Sequence, residues 1–354
     1  MFRYSKIKSP TFVVNTSQVI NNIENMLQGL PENCVFRPHF KTHNNSVTAK
    51  IFKNFGIDKI TVSSVEMALY FRQLGFRDIT IAFPVNVREQ RSLNRLAKNT
   101  FLGLCFSNLE SLHLVSKFKS INANAWIEIR TGQNRSGIDW DDCNSIEKMI
   151  EIISKSENLV FKGFLSHTGE TYSCRDKNEI IDIAWQSFEK LRKLKARFSE
   201  YSPMLSIGDT PSCSVLRNFN EIDEIRPGNF VYYDLMMLQK QVCKLGDIAA
   251  SVFCPVVDIN EIRNEIVIHG GSVHFGKEFL DLGGQIIFGK AVSHISNNLK
   301  TGIDENLISL SQEHGIIKIS SCNIKDFHVG DLVEIIPVHV CLVANYMKNS
   351  TLHF

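Results

Sequence analysis

No run of apolar residues in the 354-residue chain approaches the length of a membrane span, and Met1-Phe2-Arg3-Tyr4-Ser5-Lys6 has no apolar secretory region behind it. Charge of one sign is missing too. The 39 Lys and Arg residues are mixed with 37 Asp and Glu, net charge is +2, and the pI is near 8.0. That balance creates no field for nucleic acid or an anionic membrane. The nine cysteines form no Cys-x-x-Cys pair, and an odd, scattered set suits a reducing compartment better than a disulfide framework. No low-complexity segment is present, and no repeat beyond a strand-helix alternation. These absences describe a soluble cytoplasmic protein with a small-molecule partner, neither nucleic acid nor membrane.

What is present is a long alternation of strand and helix signals, with 44% hydrophobic residues to bury. A first strand-like run, Thr11-Phe12-Val13-Val14, is followed by a helix from about Ser17 to Gly29. Strand candidates then occur at Cys34–Arg37, Lys59–Val62, Asp78–Phe83, Phe101–Phe106, Asn124–Arg130, Val160–His167, Met204–Gly208 and Asn229–Tyr233. Helical patterns separate most of them. This is the pattern of a (β/α)8 barrel. A doubly wound open sheet is the alternative, but its Gly-x-Gly-x-x-Gly turn follows none of the early strands. Past about residue 245 strands dominate: Val252–Val257, Glu265–His269, Ile286–Phe288, Ile316–Ile319 and Asp331–Pro337. The expected organisation is an N-terminal strand (1–15), a β/α barrel (16–245) and a C-terminal β domain (246–354).

In a barrel the chemistry sits at the C-terminal strand ends. Strand one ends in Arg37-Pro38-His39-Phe40-Lys41-Thr42-His43, which sets a lysine between two histidines and near an arginine. Such cationic neighbours disfavour the lysine's own charge and favour an amine nucleophile; a solvated basic loop is the plain alternative. Strand seven ends in Gly208-Asp209-Thr210-Pro211-Ser212, and Arg226-Pro227-Gly228-Asn229 introduces strand eight. Backbone N–H groups and hydroxyls there suit a phosphate, although the same residues make ordinary turns. A lysine for an aldehyde and a cradle for a phosphate together fit pyridoxal 5'-phosphate (PLP). Two Gly-x4-Gly-Lys matches, at Gly271–Lys277 and Gly284–Lys290, lack the hydroxyl that would hold magnesium and are discarded. In Pro337-Val338-His339-Val340-Cys341, His339 and Cys341 would share one face of a strand and reach one metal ion. Imidazole plus thiolate suits zinc, with manganese or magnesium as alternatives; burial as two core residues is the competing reading. His314 is a candidate third participant or a surface histidine.

Over nearly its full length the chain resembles the D-threonine aldolase and D-serine dehydratase family, PLP enzymes of alanine racemase-like fold. The landmarks are the Arg37–His43 stretch, Thr131-Gly132-Gln133-Asn134-Arg135-Ser136-Gly137, His167-Thr168-Gly169-Glu170-Thr171-Tyr172, Ser206–Ser212, Glu224–Asn229, Gln312–Gly315 and Pro337–Cys341. The resemblance implies a barrel plus a β domain that includes the first strand, in a head-to-tail homodimer. It implies Lys41 as the residue that carries PLP, and His339 with Cys341 as ligands of a divalent metal. Lys41, His167 and Tyr172 become the candidate catalytic residues. Arg135, Tyr172, Gly208, Thr210, Arg226, Gly228 and Asn229 become candidate cofactor contacts. A His-x-Cys metal pair leans toward dehydratase over aldolase, and the expected substrate is a D-β-hydroxy-α-amino acid. D-Threonine aldolase-type cleavage, racemisation and non-catalytic PLP binding are the alternatives. Val338 and the stretch His269–His274 depart from the family pattern.

Overall fold

A computed structural model of the chain describes residues 6–219, 221–295, 298–320 and 324–354, with backbone alone at 293–295 and 298–304. Residues 1–5 of the expected N-terminal segment lie outside the described residues. Two compact units form: Glu24–Lys41 with Ser46–Phe230, and Met1–Ile23 with Thr42–Asn45 and Val231–Phe354.

The first unit is a β/α barrel. Its eight parallel strands are, in chain order, Val35–Phe36, Lys59–Val62, Asp78–Pro84, Phe101–Phe106, Ala123–Arg130, Leu159–Ser166, Met204–Ile207 and Glu224–Ile225. From the second to the eighth each pairs with the next, and the eighth pairs with the first. The ring closes just past strand one. His39 bridges Thr61, the Phe40 N–H donates to Thr61 O at 2.8 Å, and the Thr61 N–H donates to Pro38 O at 2.9 Å. This ring of neighbours excludes the doubly wound alternative. Short side chains start the outer helices: Ser64, Asn108, Asp142 and Asp176 each accept a first-turn N–H.

The barrel interior is partly polar. Arg37 donates to Glu224 and to Asp78, both at 2.6 Å, Ser206 donates to Glu224 at 2.7 Å, and Arg226 donates to Ser206 at 2.8 Å. Burial works against the charge of Arg37, and Glu224 and Asp78 outweigh it, so its pKa lies above the usual value.

Strand eight corrects one expectation. The apolar run Asn229–Tyr233 is buried, but Asn229–Val231 forms a 3-10 turn, and the pairing residues are Glu224–Ile225. Apolarity alone does not separate a buried strand from a buried turn. The shift places Arg226, Gly228 and Asn229 after strand eight, at its C-terminal end.

In the second unit, Ala250–Asn260, Glu265–His269, His314–Lys318, Asn298–Leu310, Gly289–Ile295 and Leu332–Pro337 close an antiparallel ring. The 11-residue strand Ala250–Asn260 serves both ends of that ring, because a register shift between Val256 and Asp258 bends it. Thr11–Val14 lies antiparallel to Ala250–Phe253 and parallel to Thr351–His353. Asn298–Leu310, which carries no clear strand signal, is a strand.

Candidate active site

Lys41 follows directly on a fully buried ring. Phe40 packs against Phe52, Phe71 and Phe76 with centroids 5.0, 4.9 and 5.3 Å away, so the chain is pinned one residue before the exposed lysine. The Lys41 N–H donates to His39 Nδ1 at 3.3 Å. Two of the cations expected to surround Lys41 are not available for that role. Arg37 is neutralised by its carboxylates. His43 is buried, and desolvation drives its pKa down to about 3, so it is neutral.

The other barrel residues gather as strand ends six, seven and eight require. His167 follows strand six and turns Nδ1 onto the Gly208 carbonyl. Its pKa falls to about 3, first through burial and then through the charges of Arg135, Lys41 and Arg226, against the opposing Gly208 bond. Those charges bring all three cations into the neighbourhood of one neutral imidazole. With Nδ1–H given to Gly208, the Nε2 lone pair is the accepting side.

Tyr172 lies in the 3-10 turn Gly169–Ser173, its ring 6.2 Å from that of His167. Its hydroxyl accepts from the Thr210 N–H at 3.3 Å, and the Thr210 hydroxyl accepts from the Gly228 N–H at 3.3 Å. These contacts tie three expected cofactor contacts together. Arg226 is buried and donates to Ser206 and Ser166, so it braces the floor. Its guanidinium lies where a Cβ at Gly208 would approach within 3.0 Å. Asn229 is buried beside it, whereas Arg135 is exposed on the loop after strand five.

Asp209 and Ser212 belong to the stretch expected to hold a phosphate but were not singled out as contacts. Asp209 caps the short helix Thr210–Val215 and accepts from Thr171; burial raises its pKa to about 6. Ser212 Oγ is buried with no partner among the described residues. An orphaned hydroxyl beside Thr210 is what a bound phosphate would satisfy.

In the second unit, His339 and Cys341 do not lie on a strand. Pro337 ends the strand Leu332–Pro337, His339 is extended at φ −135°, and Val340–Tyr346 is a helix. Asp234 explains the change: its Oδ2 accepts the Val340 N–H at 3.0 Å and so satisfies the helix start. The same oxygen lies 2.8 Å from His339 Nδ1. With Nδ1–H donating to Asp234, Nε2 is the nitrogen a metal would take.

Burial opposes charge on His339, but Cys341 and Asp234 outweigh it and hold its pKa well above the usual value. Cys341 Sγ is 3.1 Å from the Thr42 hydroxyl. Glu278, whose pKa burial raises, lies within the electrostatic reach of His339. Asp234 was legible only as a carboxylate before a helical run, the ordinary mark of an N-cap. It follows Tyr233, whose φ of 50° turns the chain there.

His314 does not join this pair. It is exposed and lies opposite His269 in its sheet. Among the described residues, the one group of three His, Cys or carboxylate ligands within 4.8 Å of one another is His269, His274 and Glu313. His274 Nδ1 there already accepts the Gly271 N–H at 3.2 Å.

The chain is similar in sequence and fold to known proteins. The chain is 28% identical to D-serine dehydratase of Dictyostelium discoideum, covering 96% of this chain and 92% of that protein. It is 25% identical to D-threo-3-hydroxyaspartate dehydratase of Delftia sp. strain HT23, covering 95% and 91%. The solved structure of the Delftia dehydratase superposes with a TM-score of 0.87 at 22% identity, over 96% of this chain and 93% of that one. A variant of it is known in a metal-free form. D-threonine aldolase from Filomicrobium marinum shares the fold, with a TM-score of 0.82 at 18% identity over 97% and 91%. A family model of a putative serine dehydratase domain matches residues 249–352. The model of the alanine racemase N-terminal domain matches residues 14–235, and the chain belongs to that family.

Proposed function

We propose that the chain is a PLP- and divalent-metal-dependent lyase. It removes the β-hydroxyl and the amine of a D-β-hydroxy-α-amino acid, giving a 2-oxo acid and ammonia. The observation that carries this reading is the Asp234–His339 bond beside Cys341. A racemase or a non-catalytic PLP carrier has no need of an oriented imidazole and thiol. The dehydratase names of the relatives support the same choice.

The residues fit both groups. Lys41 would hold the aldehyde carbon of PLP, and Thr210, Ser212, Gly228 and Asn229 would hold its phosphate. Gly208, with Arg226 packed beneath it, leaves the backbone open there. His339 through Nε2 and Cys341 through its thiolate would hold the metal. When bound, PLP supplies a sink for charge developing at Cα, and the metal a Lewis acid for the departing hydroxyl. Lys41 would also supply the amine that takes the Cα proton. His167, neutral at physiological pH, would present the Nε2 lone pair as an acceptor and adds no positive charge to the pocket. Arg135, on its exposed loop, would balance an anion at the mouth, and Tyr172 would lie near the cofactor ring.

Thiolate plus imidazole favours zinc over the harder manganese and magnesium. We further read the protein as a homodimer acting in the cytoplasm. The scattered cysteines agree with the compartment, and no described helix is long and apolar enough to cross a membrane.

Chelation tests the reading. Removing metal from the PLP-loaded protein should abolish 2-oxo acid formation while leaving the visible absorbance of the cofactor unchanged, and zinc should restore turnover best. Turnover that survives exhaustive chelation would leave the His339–Cys341 pair without a role.

A further inference from the structure

A surface cavity of about 600 Å³ opens at the N-terminal ends of barrel strands three and four, the end of those strands at which barrel enzymes do not place their chemistry. Arg72, Arg77, Lys98, Asn99, Thr100 and Phe101 line it. The cations are three, and among the described residues no carboxylate lines the cavity or forms an ion pair with any of them.

Two of the cations are held in place without being neutralised. Arg72 NH1 donates to the Arg95 carbonyl at 2.7 Å, and Arg77 NH1 donates to the Arg72 and Phe76 carbonyls at 2.7 and 3.2 Å. Each guanidinium is thereby oriented while most of its donors stay uncommitted. Thr100 adds a buried hydroxyl with no partner among the described residues. Phe101, a large aromatic at the start of a barrel strand, is 74% exposed. Its N–H is fixed to the Arg77 carbonyl at 2.7 Å, and both residues line the same cavity.

We propose that this cavity binds a nucleoside di- or triphosphate. Three unneutralised cations call for more than one negative charge, as in a polyphosphate. The exposed phenyl offers a face on which a base stacks, and the volume lies in the range of small-molecule sites. The site is independent of the PLP and metal residues.

Calorimetric titration of the PLP-loaded full-length protein tests it, with ATP and inorganic triphosphate as probes. ATP should bind saturably at one per chain, and triphosphate about tenfold more weakly, since it lacks the base. Lys98→Ala should weaken both about five- to tenfold. Phe101→Ser should bring ATP down to the level of triphosphate and leave triphosphate unchanged. Arg77→Ala removes a side chain that also braces two carbonyls, so the decisive substitutions are those at the exposed Lys98 and Phe101. No saturable binding, equal affinity for the two probes, or affinity untouched by Lys98→Ala and Phe101→Ser would overturn the proposal.

Discussion

At the scale of single residues, the proposed chemistry rests on Lys41 and on Asp234. Lys41 is exposed beyond the buried Phe40, so borohydride treatment of the PLP-loaded protein should fix the cofactor on the peptide that contains Lys41. A label on any other lysine would remove the basis for the assignment. Asp234 acts through His339: it orients the imidazole, and the Met237 N–H at 3.0 Å shows that its other oxygen caps a helix. Asp234→Asn keeps an oxygen for the Met237 N–H but puts an NH2 group where Oδ2 accepts from Val340 and His339. Metal affinity should fall roughly 10- to 100-fold, the usual cost of removing a carboxylate behind a metal-binding histidine. Stability should fall by about 1 kcal/mol, the usual cost of a lost helix cap, because the Val340 N–H loses its acceptor, and the protein should stay folded. Unchanged zinc affinity by competition with a chelator would show that the carboxylate only starts the helix.

At the scale of elements, position matters more than identity. Phe40 is fully buried among Phe52, Phe71 and Phe76 at the point where the ring of strands closes. Phe40→Ala should destabilise the barrel by about 3–5 kcal/mol, as deletion of a large core side chain does. A urea titration that finds less than about 1 kcal/mol would deny that packing its structural weight.

The elements also show what was legible in advance. The βα rhythm and seven of the eight barrel strands follow from apolar runs and polar breaks, because those signals are local. The positions of Lys41, His167 and Tyr172 after strand ends one and six were legible in the chain, whereas the roles proposed for His167 and Tyr172 came from the family resemblance. The eighth strand was hidden because Glu224–Ile225 is short and half polar, and its carboxylate is used inside the barrel by Arg37 and Ser206. The helix at Val340–Tyr346 was misread as strand because the group that starts it, Asp234, lies 106 residues earlier. Arg37 and His43 look like cations near Lys41 in the sequence. Only burial and partners reveal one as neutralised and the other as uncharged.

At the scale of the whole molecule, buried titratable groups set the response to acid. His43 and His167 have pKa values pushed down from 6.5 to about 3, so the unfolded chain binds more protons between those values. Stability is therefore present above pH 6.5 and lost as pH falls toward 3, on the order of 5 kcal/mol for the fully buried His43 if it titrates fully and less for the half-buried His167. Asp209 works the other way, its pKa raised from 3.8 to about 6, but its effect is on the order of 3 kcal/mol. The histidines win. The unfolding free energy of the cofactor-free protein should fall from pH 7 to pH 4, and His167→Asn should flatten that slope. A slope unaffected by the substitution would mean that His167 is not buried as a neutral ring.

The central claim concerns chemistry, and product identification tests it most directly. The protein loaded with PLP and zinc is incubated with D-serine, D-threonine and D-threo-3-hydroxyaspartate, and the products are read by NMR. The expected result is a 2-oxo acid and ammonia in equal amounts from at least one of the three. Glycine with an aldehyde, or the opposite enantiomer, with no 2-oxo acid from any of them would contradict it.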